Sequence, residues 1–131
     1  MKIEHLAYMA KDPVAVAAWY VDHLGFSVKR KTEGSPFAHF LADGSGRVML
    51  EIYNNPSVAV PDYASINSLV LHLAFSVDDV AAERQRLIEA GATPEGEAQI
   101  PAEGDHVAML RDPWGFPIQL VKRAYPMVPL D

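Results

Sequence analysis

The chain has 131 residues, half of them hydrophobic and 21% charged, which is the balance of an ordinary globular domain able to bury a core. It has no Cys, so disulfides, thiolate ligands and cysteine nucleophiles are excluded, and any metal must bind nitrogen and oxygen donors. The net charge of -6 argues against a nucleic-acid partner, and we interpret the short basic cluster Lys29-Arg30-Lys31 as a solvated strand end.

The first half of the chain predicts a strand, a helix and three more strands. Residues 2–9 alternate with apolar side chains on both faces, so we expect both faces of this strand to be covered. Asp12 and Pro13 are typical of a helix start, and Gly25 is typical of its end. The three further strands are predicted at 26–31, 37–42 and 48–53.

Targeting and membrane signals are missing from the sequence pattern. The N-terminus enters a strand pattern directly, without the charged, apolar and small-residue zones of a signal peptide. No apolar run approaches the ~20 residues of a membrane span. These features predict a cytoplasmic protein with no membrane partner.

The second half repeats the order of elements after a connection over residues 54–68, which is long enough to be a linker or the rim of a pocket. A strand is predicted at 69–77, and a helix over 79–90 ends at Gly91. The remaining strands are predicted at 93–98, 106–111 and 117–122. The tail over 124–131 contains Pro126 and Pro129 and is expected to be irregular.

The two halves also share short motifs. His5-Leu6-Ala7-Tyr8 is matched by His72-Leu73-Ala74-Phe75. The turn Asp43-Gly44-Ser45-Gly46 stands before Glu51 as Asp112-Pro113-Trp114-Gly115 stands before Gln119. Such self-similarity predicts an α+β fold in which one βαβββ module is used twice. The repeats span about residues 2–53 and 69–122 of a single domain over residues 1–131.

In each repeat the first strand carries a His and the last strand carries a Glu or a Gln. Strand alternation puts these side chains opposite the bulky packing residues, so two curved sheets would present them to one shallow cavity. Two imidazoles, a carboxylate and an amide oxygen suit one divalent Zn, Ni, Co, Mn or Fe ion and suit Ca poorly. A lone strand His is more often structural, but four donors at repeat-related positions favour a metal. The four candidate ligands are His5, Glu51, His72 and Gln119.

Other residues are candidates for contacts with a substrate. His39 and His106 lie on middle strands, where an acid, base or substrate contact and a structural role are both open. The apolar side chains that either line a ligand or pack in the core are Phe37, Tyr53, Met109 and Trp114. The chain has no glycine-rich phosphate loop, so we expect no organic cofactor.

These motifs resemble the vicinal oxygen chelate superfamily, which includes glyoxalase I, methylmalonyl-CoA epimerase, fosfomycin-resistance proteins, extradiol dioxygenases and bleomycin-binding proteins. The resemblance covers about residues 2–122 and rests on the repeated His, on Leu24-Gly25-Phe26, on Met49-Leu50-Glu51 and on Asp112-Pro113-Trp114-Gly115 before Gln119. It implies a single vicinal oxygen chelate domain whose βαβββ modules form a bowl-like mixed sheet, the glyoxalase-like fold. It also implies a metal in the bowl and a homodimer.

Within the superfamily, the order of ligands is most similar to bacterial glyoxalase I. That resemblance implies the same four ligands and makes Asn55 a glutathione contact. Two positions depart from it, because Gln119 stands where glyoxalase I has the Glu that is its principal base, and Met9 stands where it has a glutathione-binding Arg. An amide takes up no proton at neutral pH, so Glu51 becomes the candidate catalytic base.

The predicted function is a metal-dependent, glyoxalase-like lyase or isomerase that acts on a small carbonyl or vicinal-oxygen substrate by proton abstraction and enediolate stabilisation. An epimerase of an acyl thioester is one alternative. A protein that binds a drug or metabolite without chemistry, like the bleomycin-binding members, is another. Fe(II) oxygen chemistry ranks lowest, because the extradiol enzymes place a carboxylate last, where this chain has Gln119.

Overall fold

Two helices and eight strands form two four-stranded sheets in the computed structural model, which describes residues 1–129. The chain divides into two compact units, Met1–Pro61 and Asp62–Asp131. Each unit has the order βαβββ, and the predicted α+β fold is confirmed. Over the described residues, the helices of 12 and 10 residues fall short of the roughly 20 apolar residues that a membrane span needs.

The first unit is a mixed sheet with a helix packed on it. Its elements are β1 (His5–Met9), α1 (Pro13–Leu24), β2 (Ser27–Lys31), β3 (His39–Ala42) and β4 (Met49–Tyr53). The strand order is β1-β4-β3-β2, with β1 parallel to β4 and the other pairs antiparallel. The Asp12 carboxylate accepts the Ala15 backbone N–H at 3.0 Å at the start of α1, and Gly25 ends the helix with a φ of 73°. The predicted helix boundaries are confirmed.

The second unit repeats this design with one addition. Its elements are a 3-10 turn (Tyr63–Ser65), β5 (Leu73–Ser76), α2 (Val80–Glu89), β6 (Thr93–Gln99), β7 (His106–Arg111) and β8 (Pro117–Lys122). The strand order is β5-β8-β7-β6, again with one parallel pair, β5 and β8. Gly91, with a φ of 105°, follows the α2 cap residue Ala90. Residues 124–129 are irregular, as predicted, and residues 130–131 lie outside the described part.

Each unit has its own core on the helix-facing side of its sheet. In the first unit, α1 contacts β3 and β4, and in the second unit, α2 contacts β6, β7 and β8. The most deeply buried large side chains are Tyr20, Leu41 and Ile52 in the first unit and Leu87, Leu110, Ile118 and Leu120 in the second. Burying such a side chain contributes about 1.5 to 3 kcal/mol, so these strand faces fix the register of both sheets.

The first strands are shorter and more open than the sequence predicted. The prediction that both faces of the strand at 2–9 are covered is wrong, since Ile3 is 71% and Leu6 is 52% exposed. The physical reason is that β1 lies at a sheet edge, while α1 packs over the interior strands β3 and β4. In the second unit, β5 begins at Leu73, so His72 immediately precedes the strand.

The strand at the other edge of each sheet has an irregular register. In the β2–β3 pair, the register shifts between Val28 and Arg30. In the β6–β7 pair, it shifts between Glu95 and Gln99. Both shifts fall on the outer strand, where a bulge locally breaks the ladder and increases the twist.

Candidate functional site

Strand pairing places the predicted ligands at the same register in both units. Ala7 on β1 pairs with Glu51 on β4, and Ala74 on β5 pairs with Gln119 on β8. The two histidines stand two residues before these alanines, and side chains two apart on an extended chain share a face. Each unit therefore presents one imidazole and one side-chain oxygen donor on the face opposite its helix.

In the first unit, His5 and Glu51 lie side by side. His5 Nε2 is 3.5 Å from Glu51 Oε2, and the two side chains are 36% and 22% exposed. His5 Nδ1 contacts the Glu4 carboxylate, and the Phe40 ring packs edge-on against the imidazole at 5.6 Å between centroids. The hydrogen bond with Glu4 raises the pKa of His5; desolvation opposes this, and the charges of Glu4 and Glu51 add to it.

In the second unit, a backbone carbonyl orients His72. His72 Nδ1 is 2.7 Å from the Ser68 carbonyl oxygen. A carbonyl only accepts, so Nδ1 carries the hydrogen, and in the neutral ring Nε2 keeps its lone pair. Gln119 is half-buried between Ile118 and Leu120, which are buried on the opposite face. The predicted placement of Gln119 on the face opposite Ile118 and Leu120 is confirmed, and its role as a ligand stays a prediction.

His39 and Glu51 lie on opposite faces of their sheet. His39 pairs with Ile52, whereas Glu51 pairs with Phe40, so His39 points to the helix-facing side. Its side chain is buried, and Nδ1 donates to the Phe37 carbonyl oxygen at 2.7 Å. This placement favours a structural role for His39, because side chains on opposite faces of a sheet do not reach the same ligand. Its role in substrate binding stays a prediction.

His106 also lies on the wrong face for a substrate contact next to Gln119. Gln119 pairs with Met109, so His106 shares its face with Ala108 and the core of the second unit. His106 Nε2 is 3.1 Å from the Pro101 carbonyl oxygen, which holds the preceding loop to β7. The structural role that the sequence left open is the one consistent with this placement.

Two of the other candidate contacts share a sheet face with a predicted ligand. Tyr53 and Met109 are half-buried and share a face with Glu51 and Gln119, respectively. Phe37 is 39% and Trp114 is 38% exposed, so neither is a core residue. The Asn55 side-chain oxygen accepts from the backbone and hydroxyl of Ser57 at 3.0 and 2.7 Å, which closes a turn directly after β4. Its role in substrate binding stays a prediction.

Sequence reasoning missed a polar network in the second unit. Asp112 is only 2% exposed, and its Oδ1 accepts the backbone N–H of Trp114 and of Phe116, both at 2.9 Å. Arg111, the residue before it, has a side chain only 15% exposed and binds Glu95. The signal that could have revealed it is a charged residue directly after the apolar run Val107–Leu110.

The candidate metal ligands are distributed over the two units. Within residues 1–129, no three His, Asp, Glu or Cys side chains are grouped so that they could hold a metal ion. Each unit offers one imidazole and one oxygen donor, and the donor of the second unit is the amide of Gln119. Imidazoles with Nδ1 already engaged, together with oxygen ligands, are chemically suited to Zn, Ni, Co, Mn or Fe(II).

Comparison with known proteins places the chain in a family. Residues 2–120 match the model of the Glyoxalase/Bleomycin resistance protein/Dioxygenase superfamily. The chain belongs to this superfamily. Members of the glyoxalase superfamily usually bind a metal ion, bind small molecules and often form dimers.

Individual proteins that resemble this chain differ in what their names record. The "Probable lactoylglutathione lyase" of Vibrio cholerae serotype O1 is 32% identical over 111 residues, which is 79% of this chain and 78% of the relative. The crystal structure of SMU.1112c is 31% identical with a TM-score of 0.72, covering 93% of this chain and 98% of that one. TnmS3, an antibiotic binding protein from Streptomyces sp. CB03234, shares the fold at 23% identity and a TM-score of 0.70, covering 95% and 97%.

Proposed function

We propose that this protein is a metal-dependent lyase or isomerase that acts on a small carbonyl or vicinal-oxygen substrate by proton abstraction. The observation that carries the proposal is the state of the two histidines. In each, Nδ1 is engaged by an acceptor, the Glu4 carboxylate for His5 and the Ser68 carbonyl for His72. Such partners orient a ligand imidazole and leave Nε2 for the metal.

Each donor has a distinct proposed role. The proposed ligands of one divalent ion are His5, Glu51, His72 and Gln119. When bound, Zn, Ni, Co, Mn or Fe(II) would supply Lewis-acid chemistry that polarises a carbonyl and makes its neighbouring C–H more acidic. Glu51 is the proposed base, because it is the one carboxylate in the set, whereas Gln119 offers an amide oxygen and takes up no proton.

The two sheet faces that carry Glu51 and Gln119 would suit a substrate with both apolar and polar parts. Tyr53 and Met109 supply half-buried apolar surface beside these two residues. Asn55, in the turn after β4, offers its amide N–H₂ while its oxygen closes the turn with Ser57. An acyl thioester whose epimerisation also begins with proton loss fits the same chemistry.

Metal analysis tests the ligand assignment. Protein purified without added metal should contain one divalent ion per chain by elemental analysis, and His5→Ala or His72→Ala should lose most of it. His106→Ala is the matched control, because that imidazole is on the helix-facing side and should retain the metal. Unchanged metal content in both His5→Ala and His72→Ala would refute the assignment. We also expect a homodimer in the cytoplasm, which sedimentation and fractionation would test.

A second candidate function is the binding of a drug or metabolite without chemistry. It is favoured by the amide of Gln119 in place of a basic carboxylate and by the exposed rings of Phe37 and Trp114, which suit flat apolar ligands. Under this alternative, ligand affinity measured by calorimetry would be the same with and without divalent metal. Under the lyase or isomerase proposal, removal of metal abolishes turnover.

A further inference from the structure

A guanidinium in the second unit joins three backbone segments. Arg111, at the end of β7, donates from Nε and Nη2 to Glu95 Oε1 at 3.0 and 2.7 Å. Its Nη1 donates to the carbonyl oxygens of Tyr63 and Gly115 at 3.0 and 3.1 Å, and its Nη2 donates to that of Ile66 at 2.9 Å. One side chain thereby holds the 3-10 turn, the segment after it and the turn before β8 against the sheet.

The segment that Arg111 holds is the one that carries the acceptor for His72. Ile66, whose carbonyl binds Arg111, stands two residues before Ser68, whose carbonyl accepts from His72 Nδ1 at 2.7 Å. Between them, Asn67 closes a turn: its side-chain oxygen accepts from Leu69 N at 2.8 Å, and its backbone oxygen accepts from Val70 N at 2.9 Å. The Ser68 carbonyl is therefore fixed from both sides along the chain.

Glu95 binds the guanidinium on the sheet face that carries Gln119. It pairs with Met109, which pairs with Gln119, so the three side chains form a row across β6, β7 and β8. The Ser68 hydroxyl and then the Arg111 guanidinium lower the pKa of the Glu95 carboxyl, which keeps it charged at neutral pH. An ionised carboxylate gives Arg111 a charge-assisted partner that holds its fork in one orientation.

We propose that Arg111 and Glu95 are positioning residues for His72: they fix segment 63–68 so that the Ser68 carbonyl holds the imidazole with hydrogen on Nδ1 and a free lone pair on Nε2. The role toward a metal rests on the function proposed above, since it requires His72 to be a ligand. Partners that orient a ligand imidazole typically change metal affinity by about 10- to 100-fold when lost.

The nitrogen-15 spectrum of the His72 ring in metal-free protein tests the positioning directly. The wild-type protein should show a protonated Nδ1 and an unprotonated Nε2 at a pH where the ring is neutral. In Arg111→Lys, which keeps the charge but loses the planar fork, and in Glu95→Ala, the two nitrogen shifts should move toward each other as the tautomers exchange. Divalent-metal Kd should rise about 10-fold in both variants. The conservative variant Glu95→Gln keeps an acceptor oxygen for Arg111, so its spectrum should stay close to that of the wild-type protein.

Arg123→Lys is the matched control. Arg123 Nη1 donates to Asp105 Oδ2 at 2.6 Å, a similar Arg–carboxylate pair that joins the end of β8 to the loop before β7. This variant should leave the His72 spectrum and the metal Kd unchanged. Equal changes in the Arg111 and Arg123 variants would overturn the proposal, because they would reflect general loosening. An unchanged His72 spectrum in both Arg111→Lys and Glu95→Ala would overturn it as well.

The two proposals fail in different ways. If the wild-type protein binds no divalent metal but the His72 tautomer responds as expected, positioning holds and the metal-dependent function is refuted. If metal binds and is lost in His72→Ala while the Arg111 and Glu95 variants leave the tautomer unchanged, the function holds and positioning is refuted.

Discussion

Gly46 and Gly115 occupy corresponding turns of the two repeats, and replacing each with Ala would measure how closely Gly115 is packed. Both Gly46 and Gly115 have positive φ, 68° and 87°, and both donate their N–H to the carbonyl of an Asp three residues earlier at 2.9 Å. A Cβ added at Gly46 meets nothing within 4 Å. A Cβ at Gly115 would lie 2.8 Å from Ala64 Cβ and 3.1 Å from the Ala64 backbone.

The substitution to Ala therefore has different expected costs at the two positions. Each Ala costs about 1 to 2 kcal/mol for the left-handed backbone conformation. Gly115→Ala adds overpacking against the 3-10 turn, typically about 1 to 3 kcal/mol. Gly115→Ala should thus lower the free energy of unfolding by about 2 to 5 kcal/mol, and Gly46→Ala by about 1 to 2 kcal/mol.

Urea unfolding followed by circular dichroism measures both costs, with the slope m checked for constancy. Adding Ala64→Gly to Gly115→Ala should recover part of the loss, because it removes the 2.8 Å contact and leaves the backbone contacts. Equal losses for Gly46→Ala and Gly115→Ala would contradict the close approach of Gly115 to Ala64 and the packing argument built on it.

Three further outcomes follow from the same structure. Gln119→Glu should raise turnover of the methylglyoxal–glutathione adduct, by up to the roughly 10²- to 10⁴-fold that a general base contributes; no gain with metal bound would show that Glu51 already suffices or that the substrate differs. Met9→Arg, at an 8% exposed position, should lower the thermal midpoint because it puts a charged group where an apolar side chain is buried, and an unchanged midpoint would contradict that burial. Hydrogen bonds from the Arg123 guanidinium and the Ala124 N–H lower the pKa of the Asp105 carboxyl in the folded state. The ionised carboxylate therefore stabilises the fold fully above the ordinary pKa of 3.8, and this stabilisation is lost as the pH falls below 3.8 and through the lower pKa of the folded state. Asp105→Asn should flatten this acid limb in urea titrations, and an identical limb would refute the assignment.

The sequence predicted those features, such as helix ends and strand faces, that depend only on residues close together in the chain. Asp12, Pro13 and Gly25 mark the ends of α1 because capping acts within one turn. Alternation along β4 and β8 put Glu51 and Gln119 opposite buried aliphatic residues, because each strand has one strongly apolar face. Both features are visible without knowledge of the strand partners.

Features that depend on strand pairing could not be read in the same way. His39 and His106 follow short irregular segments, and a shift of one residue decides which face receives the side chain. The Arg111 network joins residues up to 48 positions apart, so no periodicity in the sequence announces it. The exposure of Leu6 depends on where α1 crosses the sheet, and this is a property of packing.

The broken registers of β2 and β6 bear on how the molecule behaves at high concentration. A regular strand at a sheet edge is a template for another chain, and the usual protections are bulges, charges and proline. All five residues of β2 are exposed, three of them are Lys or Arg, and its register breaks between Val28 and Arg30. β6 combines a register break with Pro94 and Gly96. We therefore expect the basic cluster at 29–31 to protect the β2 edge from pairing with the sheet of another molecule and from aggregation.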